Sequence, residues 1–224
     1  MSPAKRLASL FLIAFSVLAS PAYADPTREH VPTVRTQLTR MELLHALREG
    51  HLKVFGTYPS DKRLAMAWGQ VAFENGGGKW SFNHNLGNVG ASGPDQPVYF
   101  NRGDKHWYRS FIDFEDGAAA YWEVIKRCQP ALASFGWGNP QEAAIRLKRC
   151  NYYEAPLEDY APGFSRCYYE AIHKWIPEDQ REQRERDEEL LATIRRSVET
   201  SGVAAAPAPD LSGDVDEVVL RDRD

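Results

Sequence analysis

The chain has 224 residues, of which 43% are hydrophobic and 26% charged, so it is long enough for one domain with a sizeable core. Its formal net charge of −4 arises in residues 177–224, which carry 14 acidic and 7 basic side chains, whereas residues 25–176 carry 17 and 18. The nearly equal numbers of acidic and basic side chains in residues 25–176 give no indication of a nucleic-acid partner. No apolar run after residue 24 is long enough to span a membrane.

The first 24 residues have the pattern of a secretory signal. Lys5 and Arg6 give a positive start, residues 7–19 are apolar, and residues 22–24 (Ala-Tyr-Ala) form a small-x-small cleavage site. The apolar run is shorter than the roughly 20 residues that a membrane helix needs. We therefore expect cleavage after Ala24 and a soluble mature protein that is secreted or periplasmic.

Two helices are predicted after an N-terminal extension of residues 25–38. Thr39 is a suitable cap for an amphipathic helix that ends at Gly50. Asp61 is a plausible cap for a second helix, whose apolar run ends at Glu74 and is followed at once by three glycines.

An irregular segment, residues 75–105, follows the second helix. It is rich in Gly, Pro and Asn and has little helical periodicity. A short β-hairpin is predicted within it, with a strand at residues 98–100 and a turn at residues 101–104.

Helical patterns then return and complete the core. Asp113 lies in the cap region of one helix, and Asn139 caps another whose first residue is a proline. The last helix of the core is predicted from Gly163 to Trp175, because Pro177 should stop it.

Three cysteines follow the signal segment, at positions 128, 150 and 167. Export permits disulfides, so we expect one bridge and one free thiol. The preferred pair is Cys150–Cys167, which would close the loop that contains Tyr152, Tyr153 and Tyr160. The alternative, Cys128–Cys150, would join two successive helices, and both remain open.

The C-terminal part differs from the body in composition. Residues 177–200 are predicted to form a charged helical extension with an apolar patch at residues 190–194, a possible docking segment for a protein partner. Residues 201–224 combine an Ala/Pro-rich linker with an acidic end that lacks aromatic residues, so we expect disorder there.

Glu74 is the principal candidate for chemistry. A glutamate has the wrong charge for a helix C-terminus, and no charge precedes it in this helix after Arg63, so apolar surroundings are expected. Such surroundings raise the pKa of a carboxyl group and let it act as a general acid near neutral pH. The structural alternative is a solvated residue before a glycine cap.

The loop after the glycines is dense in aromatic and amide side chains, among them Trp80, Asn85 and Asn88. Aromatic rings and a few well-placed polar groups are typical of a ligand cleft, and this mixture suits a sugar. The six histidines are scattered without ligand spacing, so we expect neither a metal nor a cofactor.

Four motifs, in order, resemble the flagellar-type glucosaminidases (glycoside hydrolase family 73) of the lysozyme-like superfamily. Residues 73–78 (Phe-Glu-Asn-Gly-Gly-Gly) are similar to the family's Glu-Ser-Gly-x-Gly, and residues 85–89 to its Asn-Leu-x-Gly-Ile. Residues 111–118 match a later helix start, and residues 152–160 resemble its Tyr-Ala-Thr-Asp-x-x-Tyr segment. The resemblance covers about residues 45–175.

The resemblance implies a mainly α (α+β lysozyme-like) domain over residues 39–176, with a small β or irregular lobe after the catalytic helix. The implied substrate is the glycan strand of peptidoglycan, cut at a β-1,4 bond by an endo-β-N-acetylglucosaminidase with Glu74 as general acid. Tyr152 is the implied second catalytic side chain, which would stand near the cleaved sugar and help to hold charge or water. The residues implied to contact substrate are Trp80, Asn85, Asn88, Tyr153 and Tyr160, although core packing is an equal alternative for the last two.

The second carboxylate and the outcome of the reaction stay open. Asp104 is our candidate for the second carboxylate, ahead of Asp95 in a loop and Asp113 at a helix cap. Without a second acid, the substrate's own acetamido or 6-hydroxyl group could attack, the latter giving a lytic transglycosylase. A non-catalytic glycan-binding or scaffold protein is the third reading.

Overall fold

The computed structural model describes residues 28–91, 97–103 and 105–200. The predicted signal segment, Asp95, Asp104 and the predicted disordered tail of residues 201–224 lie outside this part of the chain. Within it, no helix is both long and apolar enough to cross a membrane.

The described chain is mainly helical with one small antiparallel sheet, as the sequence predicts. The elements are α1 (Arg40–Phe55), α2 (Asp61–Asn75), β1 (Val98–Asn101), β2 (His106–Arg109), α3 (Phe114–Arg127), α4 (Gln129–Phe135), α5 (Pro140–Arg149), α6 (Leu157–Glu170), a π-helical segment (Ala171–Trp175) and α7 (Ile176–Thr200). One compact unit ends at Arg181 and a second begins at Glu182.

Helix α2 runs through the middle of the core. Every residue from Leu64 to Ala72 is buried, because α1 and α6 both pack against this helix. The indole N–H of Trp68 donates to the carbonyl of Arg40 at 3.0 Å, which ties the start of α1 to α2. The apolar run of the sequence is therefore a helix covered on most sides, and it delivers Glu74 to the edge of the core.

The helix starts follow from capping residues. Thr39 caps α1 in a capping box, Asp113 caps α3 and Asn139 caps α5, which confirms all three predictions. The cap of α2 is Ser60 rather than Asp61, because the Ser60 hydroxyl accepts from a backbone N–H while Asp61 stands in the first turn.

The predicted end of α1 at Gly50 is wrong, because the helix continues to Phe55 and is capped by left-handed Gly56. Gly50 instead marks a close helix crossing. A Cβ placed on it would lie 2.6 Å from the Cβ of Ala118 on α3, so only a residue without a side chain fits. Gly50 therefore allows α1 and α3 to approach closely, and it does not end the helix.

The predicted hairpin is confirmed, since β1 pairs with β2 in antiparallel register. Residues 28–38 extend this lobe. The N–H of Val31 donates to the carbonyl of Val98 at 2.9 Å, and that of Thr36 donates to the carbonyl of Ser81 at the same distance. The segment before α1 therefore runs along the hairpin and the glycine-rich loop as part of the fold.

Two features of the last core helix differ from the prediction. It begins at Leu157 and not at Gly163, and the chain remains helical past Pro177. A proline ends a regular helix by removing an i to i−4 hydrogen bond. Here the π-helical segment directly before α7 changes the hydrogen-bond spacing, so the chain passes the proline without a break.

The preferred disulfide, Cys150–Cys167, is wrong, and the alternative pair Cys128–Cys150 is bonded. Cys128 lies between α3 and α4, and Cys150 caps α5. Because α4 and α5 pack side by side, the two Cα atoms lie 5.9 Å apart. Cys167 is the free thiol; it lies on α6, whose backbone packs against α2 beside Gly69.

Candidate functional site

Glu74 stands in the last turn of α2 with its carboxyl group largely enclosed. Its Oε1 accepts a hydrogen bond from the Tyr160 hydroxyl at 2.8 Å. Its Oε2 is buried and has no hydrogen-bond partner among the described residues. Burial raises the pKa of Glu74 well above its usual range, and the interactions with Tyr160 and Gln70 oppose that shift without cancelling it.

Three buried tyrosines from different elements surround this carboxyl group. Tyr121 comes from α3, Tyr160 from α6, and Tyr152 from the loop between α5 and α6. Burial first, and then the negative charge of Glu74, raises the pKa of each phenol well above its usual range. The tyrosines therefore stay neutral, and they place polar groups around Glu74 in an otherwise apolar core.

Tyr153 packs against Tyr160, one of the three tyrosines around Glu74. Its ring stacks on that of Tyr160 with centroids 3.6 Å apart and planes 7° apart, and its hydroxyl donates to the carbonyl of Ala144 at 2.9 Å. It is fully buried, so the alternative considered from sequence, core packing with a bonded hydroxyl, is what the structure shows. The ammonium of Lys148 holds the following turn by donating to the carbonyl of Glu154 at 2.7 Å.

The side chain of Asn75 fixes the glycine turn that follows Glu74. The Asn75 Oδ1 accepts from the Gly78 N–H at 2.8 Å, while its Nδ2 donates to the Ser81 hydroxyl at 3.2 Å. Gly76 and Gly78 both have positive φ, at 66° and 91°, which favours glycine. The Asn75 side chain therefore caps the glycine turn from both ends of its amide group.

The amides of the following loop hold the loop itself. Asn85 is buried; its Nδ2 donates to the carbonyls of Val89 at 3.0 Å and Arg109 at 2.9 Å, and its Oδ1 accepts from the Val89 N–H. Both N–H donors of this buried side chain are used within the loop, so in this structure Asn85 holds the loop, and its contact with a sugar stays a prediction. Asn88 is partly exposed and takes a left-handed conformation with φ of 46°.

Trp80 is the predicted contact that the structure leaves most accessible. Its side chain is 54% exposed, and its ring packs against Gly76, where a Cβ would lie 2.9 Å from Cδ1. The guanidinium of Arg35 covers one part of the ring at 4.1 Å from the centroid. An aromatic surface therefore lies six residues beyond the acid in sequence, beside the glycine turn.

Sequence reasoning missed Gln70 and Tyr121. Gln70 is fully buried and its Oε1 accepts from the Tyr121 hydroxyl at 2.6 Å. The sequence did hold a signal for Gln70, because it is the one amide in the apolar run before Glu74 and lies four residues from it, on the same helix face. Tyr121 had no such signal, since its approach depends on how α3 packs.

Comparison of the chain with protein-family models found no match, and searches of curated proteins and of solved structures found none either. The resemblance to the glucosaminidases therefore rests on the four sequence motifs alone.

Proposed function

We propose that this protein is an exported peptidoglycan hydrolase that cleaves β-1,4 bonds of the glycan strand, with a lysozyme-like domain and Glu74 as general acid. One observation carries the proposal. A carboxyl group at the end of a buried helix has one oxygen held by Tyr160 and the other enclosed without a partner in the described part of the chain, and burial raises its pKa. Such a group keeps a proton near neutral pH and can give it up from a defined atom.

The reaction needs few groups. Oε2 of Glu74 gives its proton to the glycosidic oxygen, the bond to the anomeric carbon breaks, and the electron pair stays on the departing oxygen. Water then adds to the anomeric carbon, and its proton returns to Glu74. Tyr160 keeps the carboxyl group in one orientation throughout, and Trp80 offers a ring for stacking a neighbouring sugar.

A lytic transglycosylase is the second candidate, and one observation favours it. Among the described residues, no second carboxylate contributes to the electrostatic surroundings of Glu74. Asp113 accepts from the N–H of Asp116 as a helix cap, and Asp104 is not described. Attack by the sugar's own 6-hydroxyl group requires no second acid and would leave an anhydro end.

A digest of purified peptidoglycan distinguishes these activities. We expect the mature protein to release fragments and Glu74→Gln to release them at least roughly 100-fold more slowly, because general acid catalysis is lost. Mass spectrometry of the fragment ends separates hydrolysis at N-acetylglucosamine, which leaves reducing ends, from transglycosylation, which leaves anhydro-muramic ends.

Glu154→Gln is the matched control, since it makes the same change at an exposed carboxylate on the neighbouring loop. It should digest at the wild-type rate. Asp104→Asn tests the second acid separately. If the wild-type protein binds the glycan without releasing fragments, the non-catalytic reading replaces the proposal, and full activity in Glu74→Gln contradicts the assignment of the acid.

A further inference from the structure

Two buried polar atoms on one face of α2 lack hydrogen-bond partners among the described residues. They are Nε2 of Gln70, a donor, and Oε2 of Glu74, an acceptor when charged. Residues four apart on a helix are neighbours, and the Gln70 amide is close enough to favour the charged form of the Glu74 carboxyl group and that of the facing Tyr160 hydroxyl. A buried donor without a partner costs free energy, so its retention beside the acid calls for an explanation.

The carboxamide of Gln70 is fixed by the residue on its other side. The Tyr121 hydroxyl donates a hydrogen bond to Oε1 of Gln70 at 2.6 Å. The tyrosine ring packs against Gly87, where an added Cβ would lie 2.7 Å from Cδ2 of Tyr121. With Oε1 engaged by Tyr121, the N–H bonds of the amide are directed away from that hydroxyl. The donor is therefore held in place before any substrate arrives.

The two oxygens of Glu74 are not equivalent. Oε1 is occupied by the Tyr160 hydroxyl, which leaves Oε2 as the oxygen that carries the acidic proton. While Oε2 is protonated it is a weak acceptor, and the Gln70 amide has little to gain from it. Once the proton leaves, Oε2 becomes an anion in a site of low dielectric, where an oriented donor has its largest effect.

We propose that Gln70 is a positioning residue for Glu74: held by Tyr121, its amide N–H pairs with Oε2 as the proton leaves, and it stabilises the carboxylate that forms while the glycosidic bond breaks. The inference rests on the proposed function. The hydrogen bond is stronger in the transition state than in the resting enzyme, so it acts on kcat and not on substrate binding. The proton that water returns to Oε2 ends the pairing and restores the resting state.

Gln70→Met tests the proposal, because methionine keeps the length of the side chain and removes the donor. We expect kcat to fall roughly 10- to 100-fold, the range for a hydrogen bond to a charged group, with KM changed by less than about twofold. The alkaline limb of the kcat profile should move up by about one pH unit, because the charged form of Glu74 loses a stabilising partner.

Tyr121→Phe is the second variant, since it keeps the ring that packs in the core and releases only the hydroxyl that orients Gln70. It should move kcat and the alkaline limb in the same direction by a smaller amount. In the double variant the Tyr121 change should add little to the Gln70 change, because both act through one amide. Additive effects would contradict the mechanism.

Ser134→Ala is the matched control for loss of a buried polar group. Its hydroxyl is fully buried in α4 and donates only to the carbonyl of Ala131, so it should lower stability without moving the pH profile. A Gln70→Met protein that loses stability like this control but keeps the wild-type pH profile overturns the proposal, whether or not its kcat falls.

A carboxyl-carbon NMR titration of Glu74 separates this inference from the proposed function, since it needs no turnover. A higher Glu74 pKa in Gln70→Met than in the wild type supports the pairing even if the wild type releases no fragments, in which case only the proposed function fails. If the wild type digests peptidoglycan and neither the titration nor kcat changes in Gln70→Met, the inference fails and the proposed function stands.

Discussion

Two opposing effects set the pKa of Glu74. Burial disfavours the carboxylate and raises its pKa, while the hydroxyl of Tyr160 and the amide of Gln70 favour the charged form and limit that rise. The same neighbours that keep the carboxyl group in place therefore also set the pH above which it stops acting as an acid. A general acid works in its protonated form, so the rate is lost as pH rises through its pKa.

Tyr160→Phe should raise the pKa of Glu74, because it removes the donor to Oε1 and leaves burial unopposed there. The alkaline limb of the kcat profile should then move to higher pH, and kcat should fall roughly tenfold because the carboxylate loses one hydrogen bond. Rate measurements across pH check this prediction.

Tyr153→Phe is the control for that change, because the two rings are stacked and only their hydroxyl partners differ. The Tyr153 hydroxyl donates to the carbonyl of Ala144 and not to the acid. Its loss should cost about 1 kcal/mol of stability and leave the pH profile in place. Equal displacement of the limb in both variants would show that the Tyr160 bond has no special role.

At the scale of elements, the helices pack closely enough that single methyl groups decide their spacing. Gly50 of α1 faces Ala118 of α3 with no room for a Cβ. The buried Asp179 fixes the start of α7 to α1 through an ion pair with Arg48 and a hydrogen bond with His45. Burial alone would raise the pKa of Asp179, but hydrogen bonds from Arg48 and His45 lower it.

Gly50→Ala should destabilise the protein by about 1–3 kcal/mol, because the added methyl group forces α1 and α3 apart. The sign is informative, since the same change in an unconstrained helix interior would stabilise by roughly 0.5–1 kcal/mol. Urea unfolding, read as a change in midpoint at constant slope, measures the difference.

Gly90→Ala is the matched control, because a Cβ at that position meets nothing within 4 Å. Its effect should stay within about 0.5 kcal/mol. A Gly50→Ala protein that is as stable as the wild type would mean that the helices are free to move apart, and the close crossing would not be a packing constraint.

At the scale of the whole molecule, the disulfide ties the end of α5, which leads into the loop that carries Tyr152, to the start of α4. Cys128 and Cys150 are separated by 22 positions, and the bridge holds the end of α5 against the start of α4, immediately before Tyr152. The bridge therefore restricts the motion of the chain just before Tyr152, and the ammonium of Lys148 fixes the turn that follows by donating to the carbonyl of Glu154.

Replacing both Cys128 and Cys150 by serine should lower the free energy of unfolding by about 3 kcal/mol, the loop-closure value for a loop of this size. Peptide mapping of the native protein without reductant should link these two cysteines and leave one thiol, at Cys167, for alkylation after unfolding. A linked peptide containing Cys167 would contradict the pairing.

How far the sequence predicted the site depended on whether each contact was local. The burial of Glu74, the caps at Thr39, Asp113 and Asn139 and the hairpin follow from spacing and from residues within a few positions of one another. The roles of the tyrosines do not. Tyr160 binds the acid across 86 positions of sequence, and the motif around it implied a contact with substrate but not the hydrogen bond to Glu74.

By itself, the sequence determined the helical class, most of the helix starts, the small hairpin, and the apolar surroundings that make Glu74 the candidate acid, because periodicity and capping are properties of neighbouring residues. Only the tertiary structure decided which cysteines pair, why α1 passes Gly50, and which tyrosine and which amide face the carboxyl group. Those outcomes depend on how distant helices pack, and packing is fixed by the shape of the whole core.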